Sequence, residues 1–239
     1  MTKDTSLDNR ITRLSDTMRS PWLIAFAIVA VAHLILNAAD ASPWDGITKV
    51  MLAPLLAAWV VADHGPRIVA AALIACAFGD LFLIWDDTFI VGMAAFAVGH
   101  ICFIRFFISR GALAEVRRNP WVLIAYTAAA IALVCYTWSG LGDLMIPVPI
   151  YAAILVGTAA TSLAYNRIAG LGGALFLASD AMILLGQADK WRPEPADIWI
   201  MTSYILALLL LTICILGRER QTSASRSRTT DARAGSAEQ

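Results

Sequence analysis

Long apolar runs separated by short charged turns dominate this chain and decide what it can fold into. A bilayer core of ~30 Å takes ~20 apolar residues to cross as a helix. Eight stretches approach that length: 22–39, 47–62, 68–85, 89–108, 121–138, 144–163, 168–185 and 198–216. The breaks between them hold Asp, Pro, Gly and Arg, the chemistry of turns and headgroup regions. Within lipid the backbone must satisfy its own hydrogen bonds, so only helices or closed barrels can cross. No segments of ~10 residues alternate between apolar and polar in the manner of a barrel. The expected fold is an all-α membrane protein with eight transmembrane helices.

Composition agrees. The chain is 59% hydrophobic and 15% charged, more apolar than a soluble domain can hide. Its formal net charge is zero, so nothing points to nucleic acid as a partner. Cys76, Cys102, Cys135 and Cys214 all lie inside apolar runs, which suits buried hydrophobes rather than a disulfide framework or zinc cluster.

Orientation follows from Lys and Arg in the flanks. With a cytoplasmic N-terminus, one side receives Lys3, Arg10, Arg13, Arg19, Arg67, Arg105, Arg110, Arg117, Arg118, Arg167, Arg218, Arg220, Arg226, Arg228 and Arg233. The other side receives Lys190 and Arg192, with Asp40, Asp45, Asp86, Asp87, Asp143, Asp189, Glu194 and Asp197. That partition needs an even number of crossings and sets both termini in the cytoplasm, in the cell (inner) membrane. Residues 1–20 then form a polar cytoplasmic N-terminus, too long and acidic for a signal-peptide n-region. Residues 21–217 form the membrane domain. Residues 218–239, rich in Ser, Thr, Ala and Arg, read as a disordered cytoplasmic tail.

One internal echo stands out. Gly79-Asp80 followed by apolar residues ends the third run, and Ser179-Asp180 followed by apolar residues ends the seventh. The two lie four spans apart and so share an orientation, which suggests two parallel four-helix halves.

Asp80 and Asp180 are also out of place chemically. A carboxylate inside a bilayer is costly and marks function or a polar cavity. His100 falls mid-span between Phe96 and Phe103, where a satisfied core imidazole is the plain alternative. Lys49 opens the second run, where snorkelling to headgroups competes with a role as counter-charge to either Asp. Tyr204 lies near the outward start of the last run, where an ordinary interfacial aromatic is the competing reading. His33 and Asn37 share a face of the first helix, and either can be an interhelical hydrogen bond. Ser179 adjoins Asp180. Asn37, Lys49, Asp80, Asp180 and Tyr204 all fall in the outward halves of their helices. With His100 near the midplane, they imply one cavity open to the outer side. Two interacting carboxyls there can divide acid and base duties.

No Gly-x-Ser-x-Gly elbow, Walker loop or His-Glu-x-x-His pattern occurs, and the spacing of Asp80, His100 and Asp180 fits no recognised metal motif. A proton-coupled carrier and a non-catalytic scaffold glued by polar side chains are the competing functional classes.

The segments Gly79-Asp80-Leu81-Phe82-Leu83, Gly92, Phe96-Ala97-Val98-Gly99-His100 and Gly173 through Asp180 resemble the signatures of the YhhN family, which includes the animal lysoplasmalogenases. Chain length and span count agree. The resemblance implies hydrolysis of the vinyl-ether bond of a lysophospholipid, without a cofactor or metal, in a site facing membrane lipids. It implies Asp80, Asp180 and His100 as catalytic residues, the apolar cavity as the seat of the alkenyl chain, and Lys49 as the contact for the phosphate. Tyr204, Asn37 and Ser179 are the remaining candidate substrate-binding residues.

Overall fold

The computed structural model describes residues 20–191 and 194–237, with side chains through Ser225. The expected polar N-terminus lies outside the described residues but for Ser20, as do Arg192 and the side chains of Arg226, Arg228 and Arg233. Among the described residues the chain is helical, with no strand: α1 (Pro21–Ala38), α2 (Trp44–Ala62), α3 (Arg67–Phe82), α4 (Phe89–Ser109), α5 (Ala112–Arg118), α6 (Trp121–Thr137), α7 (Pro147–Tyr165), α8 (Arg167–Gln187) and α9 (Ala196–Ala237). Helix α9 continues well past its apolar run, over the segment for which composition predicts a disordered tail.

Each boundary has a local cause. Pro21 and Pro147 occupy first-turn positions, where the missing N–H costs nothing. Helices α1, α2 and α8 each stop at a residue in the left-handed region: Asp40, His64 and Asp189. In all three the next amide donates to the carbonyl five residues back, as in Ala41 to Leu36, Gly65 to Val60 and Lys190 to Leu185. This is the Schellman closure, which satisfies carbonyls a helix end would otherwise orphan. Asn166 caps α8 by accepting from the Ile168 amide at 2.8 Å.

Seven helical segments are long and apolar enough to cross a membrane. Helix α3 is the long helix outside that group. It has 16 residues, or ~24 Å of rise, because it ends at Phe82 rather than running on to Trp85.

Consecutive long helices pack side by side within α1–α4 and within α6–α9, and the two groups meet where α4 packs on α7 and α9 on α1 and α2. If α2 and α4 correspond to α7 and α9, the α4–α7 and α2–α9 contacts exchange under a two-fold axis. These two contacts are the ones that the Gly79-Asp80 and Ser179-Asp180 echo would relate. The core joins Trp59, Phe26, Phe103, Phe106, Phe107 and Phe176.

Polar contacts at one end of the bundle fix the direction of four helices. Arg220 of α9 pairs with Asp63 just after α2. Arg110 after α4 pairs with Glu219 of α9 at 2.5 Å. Arg218 donates to the carbonyl of Tyr165 at the end of α7 and covers its ring at 4.3 Å. The C-terminal ends of α2, α4 and α7 therefore meet α9 on one face, and the starts of α2, α7 and α9 lie towards the other.

Candidate active site

Towards that other face two carboxyls are each gripped by a tyrosine. The Tyr204 hydroxyl on α9 donates to Asp80 Oδ2 on α3 at 2.6 Å. The Tyr151 hydroxyl on α7 donates to Asp180 Oδ2 on α8 at 2.5 Å. Hydroxyls this close orient a carboxyl firmly. Lys49 of α2 adds a cation, its Nζ 4.0 Å from Asp80 Oδ1.

The two grips belong to one cluster. Tyr204 meets the Phe176 ring edge-on at 5.4 Å, His100 meets the other side of Phe176 at 4.4 Å, and Tyr151 lies 6.0 Å from His100. Phe96 closes the set, 6.2 Å from Phe176 and 5.9 Å from Tyr204.

Helix packing brings these groups so close. A Cβ on Gly79 would run into the Phe96 ring, and a Cβ on Gly92 would stand 3.1 Å from the Gly79 carbonyl. Helices α3 and α4 approach to the backbone there, as small residues permit in membranes. Asp80 is thereby pressed inward, with 1% of its surface exposed.

An apolar cavity of about 80 Å³ opens beside Asp180. Its wall includes Met93 and Phe96 of α4, Leu133 of α6, Tyr151 and Leu155 of α7, and Asp180. Asp80 and Lys49 are not part of that wall. Lys49 keeps 22% of its side chain exposed, so the cluster has an apolar side at Asp180 and a charged, partly open side at Lys49.

Of the residues singled out by sequence, the structure gathers Lys49, Asp80, His100, Asp180 and Tyr204. Neither ring nitrogen of His100 meets a partner among the described residues. Ser179 lies elsewhere: its hydroxyl donates to the Ile200 carbonyl at 3.1 Å and ties α8 to α9. Among the described residues no hydrogen bond joins Asn37 to the cluster, and its side-chain oxygen is buried without a partner. His33, its neighbour on the same face, does bridge helices, with Nδ1 3.1 Å from both the Asp45 carbonyl and the Thr48 hydroxyl.

Tyr151 and Phe176 escaped the sequence reading. A signal for Tyr151 existed: it precedes Asp180 at nearly the separation by which Lys49 precedes Asp80. The two-fold echo thus extends to a cation in one half and a phenol in the other.

Comparison with known proteins gives consistent findings. Residues 44–215 match the YhhN family, a range that includes every residue of the cluster. "Lysoplasmalogenase TMEM86B" of Homo sapiens is 31% identical over 161 residues, covering 66% of this chain and 68% of that protein. The Rattus norvegicus protein of the same name is 29% identical over 202 residues, covering 82% and 84%. "Lysoplasmalogenase" of Mycobacterium tuberculosis (strain CDC 1551 / Oshkosh) is 32% identical over 190 residues, covering 72% and 70%. No solved structure matches the chain.

Proposed function

The chain belongs to the YhhN family, and on that footing we propose that it is a multi-pass membrane hydrolase that opens the vinyl-ether bond of lysoplasmalogens. The products are a fatty aldehyde and the glycerophospho-base. The observation that carries this reading is the pair of tyrosine-held carboxyls at an apolar cavity. Vinyl-ether hydrolysis protonates an alkenyl carbon, forms an oxocarbenium ion and adds water. It needs one acid, one base and a place for a hydrocarbon chain.

The cavity beside Asp180 suits the alkenyl chain, since its lining is nearly all apolar. Lys49, partly exposed at the charged side, is suited to the phosphate. His100 packs against Tyr151 and Phe176 with both ring nitrogens unpartnered among the described residues, and in this reading its imidazole serves the reacting water or ether oxygen.

In this reading the protein crosses the inner membrane eight times. Helix α3 is a short crossing whose carboxyl is sheltered by its neighbours, both termini are cytoplasmic, and the cavity faces the outer side. The common direction of α2, α4, α7 and α9 and the basic residues flanking their shared end support this.

The direct test offers purified protein a lysoplasmalogen in detergent and follows aldehyde release. Release above a heat-inactivated control is expected. Its absence from folded protein sinks the hydrolase reading and leaves the carrier and scaffold classes.

A further inference from the structure

The two carboxyls share an echo in sequence but not a setting. Asp80 is fully enclosed, has an ammonium at 4.0 Å and receives a phenol hydroxyl at 2.6 Å. Asp180 forms part of the apolar cavity wall and receives one phenol hydroxyl. Among the described residues no ion pair reaches it. A buried charge persists where a cation or several donors compensate it, and Lys49 provides that for Asp80.

The chemistry demands the same division. The atom that must be protonated is a carbon, which has no lone pair by which a hydrogen bond could hold it. Only packing can press it against the acid, so the acid must open into the space that holds the chain. The base must instead meet water, which enters from a polar side.

Resting on the hydrolase reading above, we propose that Asp180, oriented by Tyr151 at the cavity wall, is the proton donor, and that Asp80, compensated by Lys49 and Tyr204, is the ionised partner. The Asp180 proton goes to the alkenyl carbon remote from the ether oxygen. The π pair forms the new C–H bond, and an oxygen lone pair forms the C=O⁺ bond. Water adds to the cationic carbon and loses a proton to Asp80. The hemiacetal hydroxyl then returns a proton to Asp180 while the C–O bond to glycerol breaks, and the leaving oxygen takes the proton from Asp80. Both carboxyls end as they began. Asp80 and Asp180 are catalytic residues here, and Tyr151 is a positioning residue.

The test reads protonation directly, apart from turnover. Infrared difference spectra of the full-length protein at neutral pH report the C=O stretch of a protonated carboxyl. That band should vanish in Asp180→Asn and persist in Asp80→Asn. Loss in Asp80→Asn alone, partial loss in both, or a spectrum in which the band depends on neither residue overturns the assignment.

Milder variants provide a second measurement that does not depend on the folding of the Asn variants. Tyr151→Phe removes the hydroxyl that Asp180 accepts and should shift the band. Tyr204→Phe should leave it in place, and the reverse pattern again overturns the assignment. A wild-type protein that shows the band but releases no aldehyde would refute the hydrolase reading without touching the assignment.

Discussion

In the proposed mechanism Asp80 and Asp180 hold the chemistry, each a carboxyl set inside the bundle and aimed by a phenol. Replacing either by Asn keeps its size and removes its titratable proton. A general acid or base contributes 10²–10⁴-fold, so Asp80→Asn and Asp180→Asn should each lower kcat by at least ~100-fold. An amide needs less compensation than a carboxylate in an apolar site, so thermal unfolding should move little. Aldehyde release and unfolding measured side by side separate the outcomes. Activity lost only together with folded protein would mark the carboxyls as helix glue. Lys49→Met makes a different prediction. It removes the proposed phosphate contact and should raise KM more than it lowers kcat, whereas a kcat loss alone would confine Lys49 to the ion pair with Asp80. At this scale the sequence was informative where a side chain was costly in lipid, as for both Asp residues and Lys49. On Tyr151 it offered only the spacing to Asp180, because a tyrosine near the end of a span is at home at the interface whether or not it touches anything. It misled on Ser179, whose adjacency to Asp180 along the chain turns the side chain towards α9 instead.

Among the elements, the α3–α4 pair decides whether the site assembles. Asp80 and Phe96 can occupy neighbouring space because Gly79 and Gly92 let the two backbones approach. Gly79→Ala adds a methyl where the Phe96 ring stands, so the ring must move, and overpacking of this kind costs about 1–3 kcal/mol. The expected result is a lower unfolding temperature together with reduced activity, since Phe96 touches both Tyr204 and Phe176. An alanine variant with wild-type stability and turnover would mean that the helices separate freely there. The apolar runs themselves were legible because a bilayer-length stretch leaves few alternatives. The end of α3 was not: the apolar pattern continues to Trp85, yet the helix stops at Phe82, with the Thr88 hydroxyl donating to the Phe82 carbonyl at 2.5 Å. That closure depends on a turn whose partner lies beyond the run.

For the whole molecule, the open question of arrangement is whether α3 crosses. The proposed eight-span arrangement has it do so. Lys49 near the start of α2 and Asp80 near the end of α3 must meet, as they do at 4.0 Å. The end of α2 is bound to α9 on the opposite face through Asp63 and Arg220. A chain that turns at His64 on that face and reaches Asp80 beside Lys49 has traversed the bundle, and ~24 Å of helix is most of a bilayer core. Single cysteines at His64, Asp87, Arg117 and Asp143, all exposed in the loops or at the end of α5, convert this into a measurement. With a membrane-impermeant thiol reagent on intact cells, Asp87→Cys and Asp143→Cys should label at once, and His64→Cys and Arg117→Cys only after permeabilisation. The native Cys76 and Cys214 are buried, but Cys102 is part-buried and Cys135 is exposed close to the end of α6, so the single-cysteine variants are made in a cysteine-free parent. His64 and Asp87 labelling from the same side would mean that α3 does not cross, that the crossings number seven, and that the termini part company. Labelling of all four in the inverted pattern would keep eight crossings but turn the cavity towards the cytoplasm, so the lysophospholipid would have to come from the inner leaflet.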